Sequence, residues 1–319
     1  MGDFLTEATE RGFLYQCTDL EGLGQEMMRG SIGAYIGFDC TADSLHVGSL
    51  VQIMFLRLLQ RHGHKPIALV GGGTTKIGDP SFREEGRSLL DEQAIEKNLR
   101  GIRACLEKYL RDGKQNEFRI VNNDTWLGKL KYIDLLRDVG SFVSINRMVT
   151  TEGVRNRMKR EQGLTFLEFN YSILQGYDFR ELYRQYGVRL QVGGSDQWGN
   201  IIAGVEIIRR SEGVRAFGLT TPLITTASGA KMGKTAQGAR WLTADKLDPY
   251  GYWQFWDSTA DADVGRFLRL FTDLPLKEIA DLERLDLEKA RKTLAREATS
   301  LAHGVACAQD AEDTAKSWG

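Results

Sequence analysis

Two short runs carry the side chains best suited to chemistry on phosphates. His46-Val47-Gly48-Ser49 stands where a helix is expected to start. Backbone N–H groups there are unpaired and the helix dipole favours anions. Gly48 has no side chain, so a flat ring could press against the backbone. A lone histidine at a helix start can equally be a capping or surface residue. Lys231-Met232-Gly233-Lys234-Thr235 places two cations and a hydroxyl at i, i+3 and i+4, a compact hook for phosphate. The plain alternative is a solvated lysine pair on a loop. Gly71-Gly72-Gly73 and Gly193-Gly194-Ser195 precede further polar residues, Thr74 to Asp79 in one case and Asp196, Gln197 and Asn200 in the other. A glycine cluster by itself is weak evidence.

The elements that must position these runs are legible. Residues 34–39 read as a strand, 45–61 as a helix with Ser44 or Asp43 as its N-cap and Gly63 as its stop, and 66–70 as a second strand. An amphipathic helix is expected over 89–110, with Ala94, Ile95, Leu99, Ile102, Leu106 and Leu110 on one stripe. Strands follow at 118–121 and 188–192, separated by a mostly helical stretch, and a helix at 199–210. This alternation predicts an α/β fold, a doubly wound parallel sheet of Rossmann-like type with an inserted helical region at about 125–187. Ligands of such sheets bind beyond the carboxyl ends of the strands. Asp39-Cys40-Thr41, both glycine runs and His46 all fall on that one edge.

The expected division is a Rossmann-like catalytic domain over 1–225, then the signature loop and a smaller all-helical domain over 226–319. In the latter, Ala290, Leu294, Ala298, Leu301 and Val305 form one stripe, and the last ten residues are expected to fray.

Composition narrows the function class. The 42 basic and 43 acidic side chains give a net charge of −1, which excludes a general basic coat for nucleic acid but not a local patch. Cys17, Cys40, Cys105 and Cys307 lie far apart with no metal-ligand spacing, so free thiols and no protein-bound metal are expected. The opening residues hold no apolar run, and no stretch is long enough to span a bilayer. The expectation is a soluble cytoplasmic protein with no membrane or DNA partner.

Together the two runs resemble the His-x-Gly-His and Lys-Met-Ser-Lys-Ser signatures of class I aminoacyl-tRNA synthetases. The text between them is similar to bacterial tyrosyl-tRNA synthetases: Asp39 to His46, Ala68 to Gly72, Ile77 to Pro80, Leu174 to Asp178, Gln191 to Asn200 and Ala216 to Thr220. The resemblance covers residues 5–310. It implies a tyrosine–tRNA ligase, with L-tyrosine, ATP carrying its own Mg2+, and tRNA(Tyr) as substrates, and a homodimer. Residues 130–170 would form the dimer interface, and Phe166 is a candidate contact whose bland alternative is core packing.

The implied roles are these. Tyr35 and Asp178 hold the substrate phenol, Tyr171, Gln175 and Asp79 its ammonium, and Gln197 lies beside its carboxylate. Asp39, Gly48, Ser49, Gly194 and Asp196 belong to the ATP site. Thr41 and His46 contact the departing phosphates. Lys231, Lys234 and Thr235 close over them, and Arg83 and Arg87 lie in a loop that is basic in relatives. Without the resemblance, Tyr35 is an ordinary strand aromatic and Asp178 a helix-surface carboxylate.

The chain departs from the family in two places. Ser49 replaces the second signature histidine, keeping a hydroxyl donor and losing the imidazole. The 319 residues also stop before the family's C-terminal tRNA-binding domain, so the expectation is a catalytic core. The rivals are a tryptophanyl-type enzyme, an adenylyl transferase acting on another acceptor, and a non-catalytic RNA-binding or scaffolding relative.

Overall fold

A computed structural model of the chain describes residues 3–79, 90–110, 118–159, 164–227, 229, 232, 234–235 and 238–318. Its strands are β1 (Gln16–Cys17), β2 (Gly33–Asp39), β3 (Lys65–Gly71), β4 (Arg119–Asn122), β5 (Val188–Gly194), β6 (Phe217–Thr221), β7 (Lys234–Thr235) and β8 (Gly238–Ala239). The helices of the first two-thirds are α1 (Asp3–Arg11), α2 (Leu20–Arg29), α3 (Leu50–Arg61), α4 (Glu92–Leu110), α5 (Asp124–Leu127), α6 (Tyr132–Asp138), α7 (Ile145–Met148), α8 (Glu152–Lys159), α9 (Phe166–Tyr186) and α10 (Trp198–Ser211). Then come α11 (Pro249–Asp257), α12 (Asp261–Phe271), α13 (Leu276–Leu285), α14 (Leu287–His303) and α15 (Val305–Trp318).

The six-stranded sheet has the order β1-β6-β5-β2-β3-β4. Pairs β2–β3, β2–β5, β3–β4 and β5–β6 are parallel, while β1 runs antiparallel to β6. The sheet is therefore the expected doubly wound, mostly parallel one, with a short antiparallel strand added at one edge. A two-residue strand leaves no period to read, and β6 is buried on both faces, so neither shows the alternation that marks a half-exposed strand. The chain steps from β2 out to β4, then returns to lay β5 against the other side of β2. The strand order thus reverses between β2 and β5, the switch point at which doubly wound sheets open a crevice.

Alternation along β2 sorts its side chains between two layers. Ala34, Ile36 and Phe38 enter the larger core with α3, α4 and the C-terminal helices, whereas Tyr35 enters a second core with Ile67, Leu69, Phe179 and Leu182. Helix α3 is apolar nearly all round, with Leu50, Ile53, Met54, Phe55, Leu56, Leu58 and Leu59 buried. It lies between the sheet and the helices α1, α4 and α12. Each such side chain contributes about 2 kcal/mol of transfer free energy. Buried Arg11 ties the N-terminal helix to the last third of the chain, donating to the carbonyls of Arg269, Thr272 and Leu274 at 3.0, 3.2 and 2.7 Å.

Three local expectations change. Helix α3 begins at Leu50 rather than Leu45, because Leu45 and His46 run beside 240–242 and a single 3-10 turn over Val47–Ser49 precedes the helix. Ser44 and Asp43 are therefore not its cap. The C-terminal stripe ends before Val305, since Gly304 at φ +94° closes α14 and Val305 opens α15, 77% exposed. Residues 305–318 stay helical instead of fraying, with Ala308 and Ala311 buried. Among the described residues no helix is long and apolar enough to cross a membrane.

Candidate functional site

The carboxyl ends of the parallel strands bring the polar clusters together. Asp39 ends β2 directly opposite Gly71, and Gly194 ends β5 opposite Thr221. Residues 35, 37 and 39 share the face of β2 that looks toward α9. Gly37 lies mid-strand in the interior of the sheet, yet it is exposed, and a Cβ built on it meets nothing within 4 Å. A bare, open patch on an otherwise covered sheet is room for a ligand.

The walls of this opening come from α9. Thr165 caps the helix, with its Oγ1 accepting from the Glu168 N–H at 3.2 Å and the Glu168 carboxylate accepting from the Thr165 N–H at 3.0 Å. Gly187 at φ +67° ends it. Between these ends Tyr171, Gln175 and Asp178 fall at i, i+4 and i+7 on one helix face. Asp178 is buried, not a surface carboxylate. Its Oδ1 accepts from Trp126 Nε1 at 2.7 Å and its Oδ2 from Asn123 Nδ2 at 2.9 Å. Burial pushes its pKa up to about 7 despite those two donors. Tyr35 is also buried, and its hydroxyl has no hydrogen-bond partner. Burial, and after it the charge of Asp178, raises its phenol well above the usual range. An unpaired buried hydroxyl beside a buried carboxyl costs the empty fold free energy that a ligand hydroxyl can recover.

A second layer orients these groups. Asn123 receives the Gly73 N–H on its Oδ1 at 2.8 Å and donates to Thr74 Oγ1 at 3.1 Å. Thr74 donates to Asp39 at 3.1 Å, and the Tyr171 hydroxyl lies 3.3 Å from both Asp39 oxygens. Asn123, Trp126 and Gly37 are absent from the residues the sequence singles out, and Thr74 enters there only as part of the polar run after Gly73. The signal for Asn123 was its place at the end of the third strand, where Asn122-Asn123-Asp124 reads only as a closing turn.

On the β5 side Gln197 Nε2 donates to Asp79 at 2.8 Å, and Asn200 Nδ2 donates to Gln197 Oε1 at 3.2 Å. The expected ammonium and carboxylate holders therefore meet. A Cβ on Gly194 would lie 2.5 Å from Asp196 Oδ1, so the backbone there is hugged by that carboxylate. Thr41 is exposed beside the crevice, just beyond Asp39.

His46 Nδ1 accepts from the Gly48 N–H at 3.0 Å. A Cβ on Gly48 would come 3.2 Å from the carbonyl oxygen of Met232, so the second signature run touches the first. Ser49 makes no side-chain cap bond to α3. Lys231, Arg83 and Arg87 lie outside the described residues. Lys234 and Thr235 form β7, paired with Ala239 and Gly238, and their side chains lie outside what is described. Among the described residues there is no cluster of three potential metal ligands.

The chain belongs to the class I tRNA synthetases: the family profile described as tRNA synthetases class I (W and Y) matches residues 27–318. Within that class it is similar to the tyrosine–tRNA ligase of Rhodospirillum rubrum, 59% identical over 318 residues, 98% of this chain and 76% of that protein. The tyrosine–tRNA ligase of Gluconobacter oxydans is 56% identical over 98% of this chain and 77% of its own. Among solved structures, the C-terminally truncated mitochondrial tyrosyl-tRNA synthetase of Aspergillus nidulans superposes with a TM-score of 0.89 at 29% identity, covering 99% of this chain and 94% of that one. The chain spans about three-quarters of the length of the curated relatives it matches.

Proposed function

We propose that the crevice between β2 and β5 is where this chain runs its family's reaction, tyrosine–tRNA ligation. The observation that carries the assignment is the buried Tyr35–Asp178 pair with its unpartnered phenol, Tyr35 lying on the strand whose Gly37, two residues on, is open. The tyrosine ring lies over Gly37 with its hydroxyl at that pair. Tyr171, Gln175 and Asp79 receive the ammonium, and Gln197 lies beside the carboxylate. Gly194 and Asp196 take the ribose of ATP, Gly48 lies near the adenosine, and Asp39 and Ser49 complete the ATP site.

A tyrosine carboxylate oxygen then attacks the α-phosphorus, forming tyrosyl-adenylate as the bond to pyrophosphate breaks. Thr41, His46, Lys231, Lys234, Thr235, Arg83 and Arg87 receive the charge that builds on the leaving group. Mg2+ travels on the ATP. No side chain has to act as nucleophile or base, so the protein contributes position and electrostatics. The tyrosyl group then passes to tRNA(Tyr). We divide the chain at about residue 225 between the nucleotide-binding part and the loop with its helices, and place it in the cytoplasm with its tRNA.

Two expected results arise from this geometry. Gly37→Ala puts a methyl into empty space in the free protein and against the ligand ring in the complex. Thermal stability should hold while tyrosine affinity falls about tenfold or more. Equal affinity would place the ring elsewhere. The second concerns pH. A phenol donates best to an ionised carboxylate, so tyrosine binding lowers the Asp178 pKa from about 7. Tyrosine should therefore bind about tenfold more weakly at pH 6 than at pH 8, releasing a proton at the lower pH. Calorimetry in buffers of different ionisation enthalpy reads this, and Asp178→Asn should remove it. The same raised pKa means that the stability contributed by protonated Asp178 is complete below about pH 4 and is lost as pH climbs to about 7.

A second copy of this chain is the partner we assign to α6–α9, where Ile133, Ile145, Met158 and Phe166 are 62%, 65%, 59% and 67% exposed. Exposure of that size on neighbouring elements favours an interface over core packing for Phe166. Sedimentation should give a dimer that Phe166→Asp weakens.

A further inference from the structure

The stretch at 45–47, just before α3, has an unexpected partner. His46 forms an isolated antiparallel bridge with Trp241. The Val47 N–H donates to the Arg240 carbonyl at 2.8 Å and the Leu242 N–H to the Leu45 carbonyl at 2.9 Å. These bonds fasten the exit of the β7–β8 hairpin, which carries Lys234 and Thr235, onto the residues that precede α3. On this clamp the rings of His46 and Trp241 meet edge to face, centroids 6.2 Å apart and planes at 69°. Trp241 is held by a second contact as well. The Lys246 ammonium sits 5.3 Å from the centre of the indole, and Asp43 pairs with that ammonium at 2.6 Å and with Lys97 at 3.1 Å.

The imidazole is thus fixed from two directions. Its Nδ1 accepts from Gly48 N–H, so that nitrogen carries no hydrogen, and in the neutral ring the proton sits on Nε2. Trp241 limits how the ring can tilt about that bond. Catalysis by charge stabilisation depends on such fixing, since a donor misplaced by about 1 Å can cost on the order of 10²-fold in rate.

We propose that Trp241 is a positioning residue for adenylate formation: it holds the His46 ring so that Nε2–H meets the departing phosphates, and it ties that donor to the exit of the lysine loop. This rests on the phosphate role given to His46 above. Lys246 and Asp43 act one step further out, by holding the indole.

The test is a double-mutant cycle read by single-turnover formation of tyrosyl-adenylate, with tyrosine binding measured on every variant as the check of the fold. Trp241→Ala should lower the rate constant at saturating ATP about tenfold, with the KM for ATP and the tyrosine Kd within about twofold of the parent. Trp241→Phe, which keeps a ring, should recover most of the loss. In a His46→Ala background, Trp241→Ala should cost less than about twofold, because the ring it positions is gone. The same factor in both backgrounds overturns the proposal and leaves the phosphate role of His46 standing. No effect of His46→Ala overturns both. Should Trp241→Ala lose tyrosine binding, Trp241→Leu takes its place in the cycle, with the same two outcomes deciding.

Discussion

Replacing Lys231 and Lys234 together by alanine is expected to slow tyrosyl-adenylate formation by about 10³-fold while the Kd for tyrosine stays within about twofold. The separation follows from where the charges act. In the proposed site tyrosine binding draws on Tyr35, Asp178 and the polar groups around Asp79 and Gln197, all on the sheet and on elements packed against it. In the proposed site the lysines meet charge that appears only as pyrophosphate departs, so their loss should be felt in the transition state and little in the tyrosine complex. Met232 lies against Gly48, so the loop passes next to the His46 turn at that residue. Rapid-quench measurement of the activation rate, with equilibrium dialysis for tyrosine, separates the two quantities. A loss of tyrosine affinity matching the loss of rate would show that the loop belongs to the tyrosine pocket. An unchanged rate would return the lysines to a solvated pair on a surface loop.

The second large effect concerns the choice between tyrosine and phenylalanine. Tyr35→Phe combined with Asp178→Asn should lower kcat/KM for tyrosine by about 10²-fold or more and leave that for phenylalanine nearly unchanged. In the parent, phenylalanine leaves the Tyr35 hydroxyl unpaired and an acceptor position of Asp178 empty, each costing roughly 1–3 kcal/mol in a dry site. The variant removes the hydroxyl and the charge, so there is less to leave unpaired. Asn at 178 keeps an acceptor for Trp126, which limits damage to the wall. Measured as a ratio of specificity constants, the preference for tyrosine should collapse. A preference that survives intact would place recognition of the phenol on other groups.

Much of this site was legible in the sequence, for a physical reason. Strands buried on both faces read as short apolar runs, and the chemistry of an open α/β sheet has to collect beyond their carboxyl ends, so Asp39, Gly71 and Gly194 could be placed on one edge from their order alone. Tyr35 and Asp178 could not. A tyrosine in a strand and an aspartate in a helix carry no local mark of facing one another, and only the family resemblance joined them. Asn123 and Trp126 escaped because their importance is wholly tertiary: each bonds Asp178, 55 and 52 residues away. Gly37 escaped because a glycine in a strand reads as a weakness, whereas here it leaves the face of the sheet open. The late start of α3 shows tertiary structure overriding a local pattern. The apolar spacing of 45–61 predicts a longer helix, but two backbone bonds tie residues 47 and 45 to 240 and 242, and the α-helix starts only at Leu50.

The most direct test of the central claim is exchange of labelled pyrophosphate into ATP by the purified 319-residue chain, run with each amino acid in turn. Exchange that depends on L-tyrosine and is absent with tryptophan and phenylalanine is the predicted result. Exchange supported equally by tryptophan, or none with any amino acid, would contradict it.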